Sequence, residues 1–501
     1  MDGVGFMCSG GRLLWSRSLL ALVCALGLLV SACGARVGAG QVRAASFGAG
    51  TSGLSGVGVA SGPVAGGSTG VVGNASGPGS AGQASGASVA NSSTAQFSGA
   101  SAAAAGASSG GAASPVPAGG NGGSTDVGVT GTQILTENIS DLSGPVPGLF
   151  QGAPYGVQAY YDYINSQGGV YGRQLVQKSV DDQFSCSQNE AETSSAVGSA
   201  FALVGSGSLF DNCGAQVLAS HPDVSDVHTA TTAQASQLPN NFSYNAFHAG
   251  SITGPFLWLK QHYPAAITKV GLLAGVSQAT NSINTWEKGA MASLGYKIIY
   301  EDDFNPVQND FTSDVIRMRA DGVQMVIFLI TVTADAANLA AEMQQQNWHP
   351  QAYLAGSDCY DSSYISEAGA SAVEGDYIYN QNVMFNGEDA AAVPEIQTYL
   401  AWMHRDYPNY SSDSFSFGGW VSAMLFVQAL RAAGPKVSRK ALLAALKQIK
   451  SFNADGLIPN ADPADKIATH CYVMIKVHNG AFVRADPPAG FLCGGFWTPP
   501  S

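Results

Sequence analysis

The sequence contains little that is typical of catalysis. Gly106, Ser108 and Gly110 have the G-x-S-x-G spacing of a hydrolase nucleophile. Such a serine needs a strand before it and a helix after it, and the surrounding run of Ala, Ser and Gly favours neither. The metal-ligand spacings C-x-x-C and H-E-x-x-H do not occur, and the eight histidines are scattered. We therefore expect a binding protein without a cofactor or a metal, rather than an enzyme.

The charge balance excludes one large class of partner. The chain has 22 basic and 35 acidic side chains and a formal net charge of −13. An acidic surface repels the phosphate backbone, and no cluster of basic residues stands out in the sequence. We therefore expect no binding to nucleic acid.

The N-terminus has the features of an export signal. An uncharged apolar run over 19–30 follows two arginines, and it is shorter than the roughly 20 residues that a membrane-spanning helix needs. The Val-Ser-Ala-Cys run that ends at Cys33 resembles the lipobox of bacterial lipoproteins. This resemblance predicts a signal peptide over 1–32 and a lipidated Cys33, which would anchor the protein to the outer face of the bacterial cytoplasmic membrane. An ordinary secretory cleavage site that contains cysteine is the alternative.

A long segment of low complexity follows the predicted anchor. Residues 34–125 are almost entirely Gly, Ala, Ser, Val, Thr and Pro, and Arg36 and Arg43 carry their only charges. Such a segment cannot bury enough apolar area to offset the chain entropy that folding costs. We expect residues 33–125 to form a disordered tether.

Five cysteines follow the predicted anchor, and an exported protein can form disulfides. We predict one bond between Cys186 and Cys213, which would close a local loop. We predict another between Cys471 and Cys493, which would join two short strand-like runs. Cys359 is left over. Spacing alone does not fix the connectivity of five thiols, so other pairings and metal ligation stay open.

From residue 126 onward, short apolar β-branched runs alternate with helical patterns. The first strand is predicted over 127–135, a helix over 151–166 and the next strand over 174–180. The same alternation continues through the chain, as expected for β-α-β units. The pattern predicts an α/β protein with parallel sheets covered by helices on both faces, and ligands bound at the carboxyl ends of strands.

Several short motifs within this part of the chain resemble one family. They are the Leu-Ser-Gly-Pro run at 142–145, the Ile-Asn-Ser-Gln-Gly-Gly run at 164–169, the pair Asp181 and Asp182, the Asn-Asp-Phe run at 309–311 and the Gly-Ser-Asp run at 356–358. Together they resemble the type I periplasmic binding proteins, and among them the leucine/isoleucine/valine-binding solute receptors of ABC transporters. The resemblance spans roughly residues 126–500.

The resemblance implies a fold of two doubly wound parallel-sheet lobes joined by a three-stranded hinge. The first lobe would comprise residues 126–248 and 380–454, and the second 249–379 and 455–501. A small polar solute, such as a branched-chain amino acid or a related amide, would bind between them. The receptor would deliver this solute to the permease of an ABC importer. A ligand-sensing module for a membrane signalling partner is the alternative.

The resemblance also implies the residues of the cleft. In the first lobe they are Tyr155 as an aromatic wall, and Gly214, Thr229, Thr231 and Thr232 around a ligand carboxylate. In the second lobe they are Gln278, Thr331 and Asp358, the last aligning with the acid that binds the ligand ammonium. Plainer interpretations stay open: solvated hydroxyls for the threonines, a turn cap for Asp358 and core packing for Tyr155.

Overall fold

The computed structural model describes residues 114–246, 249–277, 280–305, 310–329 and 332–500. The predicted signal peptide and Cys33 lie outside the described residues, as do Gln278 and Thr331. Within the described ranges, we find no helix with the length and apolar character needed to span a bilayer.

The first sheet is built from the N-terminal half of the described chain. Its strands are β1 (Gln133–Ser140), β2 (Gln174–Asp181), β3 (Ala202–Val204), β4 (Asp226–Val227) and β5 (Asn241–Phe242). The helices between them are α1 (Gly152–Ser166), α2 (Cys186–Ser199), α3 (Asp211–Ser220) and α4 (Ala233–Ser236). All pairings are parallel, and the strand order is β2-β1-β3-β4-β5. In a sheet of this order, ligands bind where the winding reverses, beyond the carboxyl ends of β1 and β3.

The second sheet repeats this winding. The strands that follow are β6 (Ser251–Ile252), β7 (Val270–Gly275), β8 (Ile298–Phe304), β9 (Met325–Leu329), β10 (Ala352–Leu354) and β11 (Tyr377–Asn380). The helices are α5 (Gly254–His262), α6 (Thr280–Ser293), α7 (Thr312–Asp321), α8 (Thr333–Gln345) and α9 (Ser362–Ala368). Strands β7 to β11 pair in parallel in the order β8-β7-β9-β10-β11. The central strand β9 is buried along its whole length, which explains its continuous Met-Val-Ile-Phe-Leu sequence.

The chain then returns to the first lobe before it ends in the second. The returning helices are α10 (Glu395–Asp406), α11 (Ser414–Ala433) and α12 (Arg439–Leu446), and the last strands are β12 (Cys471–His478), β13 (Ala481–Asp486), β14 (Leu492–Cys493) and β15 (Phe496–Trp497). Helix α11 packs on α1, whereas β12 joins the second sheet antiparallel to β11. Strand β15 pairs with β6. The predicted fold of two doubly wound lobes is confirmed.

Two glycines let α11 approach α1 closely. A Cβ atom on Gly156 would collide with the backbone of Ser416, and one on Gly419 would collide with the backbone of Ala153. Asp413 and Ser416 form a capping box that fixes where α11 begins. The close packing brings the first residues of α11 to the carboxyl end of the first sheet.

Residues 114–125, which the sequence assigned to the tether, contact the folded part. The fully buried Arg173 donates to the carbonyl oxygens of Asn121 and Gly123 at 2.5 and 2.9 Å. Hydrogen bonds to carbonyl acceptors offset the desolvation cost of burying a guanidinium group. The folded part therefore includes residues before 126.

Both predicted disulfides are present. Cys186 and Cys213 join α2 to α3, and Cys471 and Cys493 join β12 to β14. Cys359 is free and buried. The second bond holds the C-terminal segment against the second sheet just before β15.

Candidate ligand cleft

A cavity of about 430 Å³ lies between the carboxyl ends of the two parallel sheets. The first lobe contributes residues that follow its strands, including Phe150, Ser206, Gly207, Thr229, Ala230 and Thr231. The second lobe contributes Ser277, Ile283, Trp286, Glu287, Ser357 and Asp358. Pockets for small ligands measure roughly 300–1,000 Å³, so this cavity suits a small solute.

The charged residues that line the cavity are acidic. Asp358 and Glu287 line it, whereas no lysine, arginine or histidine does so within the described ranges. Large parts of the wall are apolar, with Ile252, Ile283 and Phe415 among the lining residues. An unscreened negative charge in such a site attracts a cation and repels an anion. The cavity therefore suits a ligand that has both a positive group and an apolar part.

Two of the predicted threonines are held by one buried carboxylate. Asp211 Oδ2 accepts from the backbone N–H of Thr231 at 2.6 Å, and its Oδ1 accepts from the hydroxyl of Thr232. Thr231 Oγ1 donates to the carbonyl of Ser208 at 2.5 Å. Thr231 lines the cavity, but its backbone N–H and its hydroxyl both donate to other protein groups. Thr232 is buried and does not line the cavity, because its side chain caps α4.

Other donors near these threonines are available to a ligand. Ser206 Oγ accepts from the backbone N–H of Ile139 at 3.2 Å, which leaves its own proton for another acceptor. The backbone N–H of Ala230 has no acceptor among the described residues. Thr229 Oγ1 lies 2.9 Å from Ser243 Oγ. Together they can bind a ligand carboxylate or carbonyl from the side of the first lobe.

Asp358 faces the cavity from the second lobe. It lies in a short 3-10 turn, Ser357–Cys359, directly after β10. The hydroxyl of Ser414, the first residue of α11, donates to its Oδ1 at 3.5 Å. Burial, and then the charge of Asp413, raise the pKa of Asp358 to about 6. A ligand cation at this carboxylate would stabilise its charged form and so lower the pKa of Asp358 again.

An aromatic residue that lines the cavity near the predicted position is Phe150, five residues before the predicted Tyr155. Phe150 lines the cavity, and its ring lies 4.6 Å from that of Phe415. Tyr155 lies outside the lining, since its ring stacks on Tyr407 at 3.9 Å. Core packing is therefore the interpretation of Tyr155 that its surroundings favour.

Gly214 also lies outside the cavity lining. It belongs to α3, and its N–H donates to the side chain of Asn189 at 2.9 Å. A Cβ atom there would collide with Asn189 and Thr193 of α2. This glycine thus permits the close packing of the two helices that the disulfide joins.

The sequence did not indicate Glu287. The residue is only 5% exposed, and its carboxyl group accepts from the hydroxyl of Tyr379 at 3.0 Å. Burial raises its pKa to about 7. Thr280, Asn284 and Glu287 are all buried at helical spacing on α6, and this stripe of polar residues was the signal available in the sequence.

The C-terminal segment also reaches the cavity. Phe496 in β15 lines it, and its ring stacks on His470 with the centroids 4.9 Å apart. Pairing with Ile252 in β6, which also lines the cavity, fixes this strand at the cavity wall. The Cys471–Cys493 bond ends three residues earlier and holds the same segment.

The model of the family described as periplasmic binding protein matches residues 138–481. The chain belongs to this family. Membership makes it a solute-binding protein and implies an extracytoplasmic location. It also confirms the family that the sequence motifs predicted. A comparison with curated proteins gave no match.

Solved structures of periplasmic binding proteins share the fold at low sequence identity. A fatty acid ABC transporter substrate-binding protein from Thermomonospora curvata is 21% identical, with a TM-score of 0.62, and the match covers 75% of this chain and 95% of that one. A branched chain amino acid ABC transporter from Thermus thermophilus with bound valine is 17% identical, with a TM-score of 0.61 and coverages of 72% and 97%.

The substrate-binding protein LivJ from Streptococcus pneumoniae, in complex with isoleucine, gives a similar result. It is 16% identical, with a TM-score of 0.58 and coverages of 71% and 100%. At these identities the likeness concerns the fold, and the ligand has to be argued from the cleft itself.

Proposed function

We propose that this periplasmic binding protein is a lipid-anchored receptor that captures an amino acid or a related small amine and delivers it to an ABC importer. The observation that carries the proposal is the cavity between two lobes, with hydrogen-bond donors on one side and a carboxylate on the other. An amino acid presents the complementary pair of groups. Its carboxylate would accept from Ser206 and Ala230, and its ammonium would bind Asp358.

Such a ligand would contact both lobes at once. Ser206 and Ala230 belong to the first lobe, and Asp358 belongs to the second. Binding energy that is available only when the lobes are close together shifts the population toward the closed form. This coupling is what a receptor needs in order to present a loaded and an empty state to a membrane partner.

The relative from Thermomonospora curvata is named for fatty acids, so a fatty acid is the second candidate. The apolar walls suit an acyl chain, but the carboxylates of Asp358 and Glu287 would repel its head group. The absence of a basic lining residue in the described ranges supports an amine over a fatty acid.

Differential scanning fluorimetry against amino acids, amides, short peptides and fatty acids tests the ligand class. A ligand at 100 times its dissociation constant stabilises the folded chain by about 2.7 kcal/mol. We expect amine-bearing ligands to raise the melting temperature. A shift with fatty acids alone would contradict the proposed ligand.

Delivery is tested in cells by measuring uptake of the ligand found in this way. Deleting the gene should abolish high-affinity uptake if the receptor serves an importer. Unchanged uptake together with a lost transcriptional response to the ligand would support the sensing alternative instead.

A further inference from the structure

We propose that the cleft has a second cation-binding subsite, formed by Glu287 and Tyr379, and that its ligand is a basic amino acid or a diamine. The inference rests on the proposed function, because it takes Asp358 as the site of the first ammonium. It adds a second positive group to the ligand and so narrows the substrate class.

The first argument is the unsatisfied oxygen of a buried carboxylate. Glu287 Oε1 accepts from Tyr379, whereas Oε2 has no hydrogen-bond partner among the described residues. The residue is only 5% exposed and lines the cavity. Leaving a buried charged oxygen without a partner is costly, so a donor is expected at this place when the site is filled.

The part of the chain that the structure describes supplies no counter-ion for the Glu287 carboxylate. The neighbouring Lys288 binds Glu301 and lies 3.4 Å from Asp303, away from the cavity. Within the described ranges, Glu287 forms no salt bridge with a lysine, arginine or histidine. The counter-charge would therefore come from the ligand.

Tyr379 connects the carboxylates of Glu287 and Asp358 to the same cavity. It lines the cavity from β11 and donates to Glu287, while Asp358 lines the same cavity. Burial, and then the charges of Glu287 and Asp358, raise the pKa of the Tyr379 hydroxyl. The two carboxylates therefore face one cavity. A ligand with two ammonium groups separated by a few methylenes can bind both.

The remaining wall suits such a methylene chain. Ile252, Ile283, Trp286 and Phe496 line the cavity with apolar surface. Burying the methylene groups of a ligand against such a surface stabilises the complex. A ligand with one ammonium would leave Glu287 unmatched, whereas a basic amino acid or a diamine fills both ends and the apolar middle.

Isothermal titration calorimetry on the full chain tests the proposal with lysine, ornithine, norleucine and putrescine. Norleucine has the chain length of lysine without the second ammonium, so it isolates the subsite. We expect lysine or ornithine to bind the wild-type protein at least about 30-fold more tightly than norleucine, in line with the energy of a buried charge pair. Putrescine should bind as well, through the two carboxylates.

Glu287→Gln keeps the shape of the side chain and removes its charge. We expect it to abolish the preference for lysine over norleucine. Glu367→Gln, on an exposed position of α9, is the matched control and should change neither affinity. The comparison of lysine with norleucine on the wild-type protein needs no variant, so it tests the subsite even if Glu287→Gln folds poorly.

Three outcomes would overturn the second subsite. Norleucine or leucine binding as tightly as lysine would do so, as would an unchanged lysine affinity in Glu287→Gln. These two results leave the proposed amine receptor intact. Failure of all amines to bind would overturn the proposed function together with the subsite.

Discussion

Asp141 and Asp182 direct their carboxylates at the same hydroxyl, that of Ser208, whose Oγ lies 3.5 Å from Asp141 Oδ1 and 2.5 Å from Asp182 Oδ2. Both acids are fully buried. Burial, and then the neighbouring Asp182, raise the pKa of Asp141 far above its ordinary value. Asp141 Oδ2 also accepts from the backbone N–H of Leu209 at 2.8 Å, so the pair supports the loop that carries Ser206 into the cleft.

This pair predicts that the protein is more stable in mild acid. The pKa of Asp141 is higher in the folded chain than in the unfolded chain, so the folded state binds the extra proton. The stabilisation is fully present below the unfolded pKa and is lost as the pH rises toward the folded pKa. Asp141→Asn should reduce the fall in unfolding free energy between pH 5 and pH 8, measured by urea denaturation. Asp321→Asn, on an exposed position, should keep the wild-type slope, and an equal slope in Asp141→Asn would refute the assignment.

The lipid anchor is tested by Cys33→Ser. A diacylated cysteine holds a protein stably on a membrane because two acyl chains bind far more strongly than one. We expect Cys33→Ser to move the protein from the membrane fraction to the soluble fraction after cell fractionation. Cys24→Ser, within the predicted signal peptide, serves as the control and should leave it on the membrane. Membrane retention of Cys33→Ser would indicate a different anchor.

The role proposed for Asp358 predicts a large loss of affinity in Asp358→Asn. The amide keeps the size of the side chain and removes the charge that would bind the ligand ammonium. We expect amine-bearing ligands to bind at least about tenfold more weakly, measured by calorimetry. Asp321→Asn is again the control for the loss of one negative charge. Unchanged affinity would remove Asp358 from the site.

The two-lobed fold was predictable because its evidence is local and repeated. Helix α1 lies at Gly152–Ser166, within one residue of the predicted 151–166. The first strand was less well placed: it was predicted over 127–135 and is found at Gln133–Ser140. Its centre consists of buried polar residues, and Asn138 donates to the carbonyl of Gly205 at 2.6 Å. Apolar periodicity does not detect a strand of this kind.

The site was less predictable because its residues meet only through the fold. Glu287 and Tyr379 are 92 residues apart in the chain, and Phe496 enters from the C-terminal segment. That Asp358 lines the cavity could be predicted because a family motif and a strand end coincide there. A sequence motif can locate one site residue, whereas the residues around it depend on how distant loops pack.

Phe150 lines the cavity and Tyr155 does not, and this difference allows a direct test. Phe150→Ala removes a ring that lines the cavity. We therefore expect affinity for the identified ligand to fall by about tenfold, which corresponds to a loss of about 1.4 kcal/mol of binding free energy. Tyr155→Ala removes a ring that stacks on Tyr407. It should lower the melting temperature and leave the affinity of the folded protein within about twofold of wild type. Calorimetry below the melting temperatures of both variants separates the effect on binding from the effect on stability. A larger affinity loss in Tyr155→Ala than in Phe150→Ala would indicate that Tyr155, rather than Phe150, contacts the ligand.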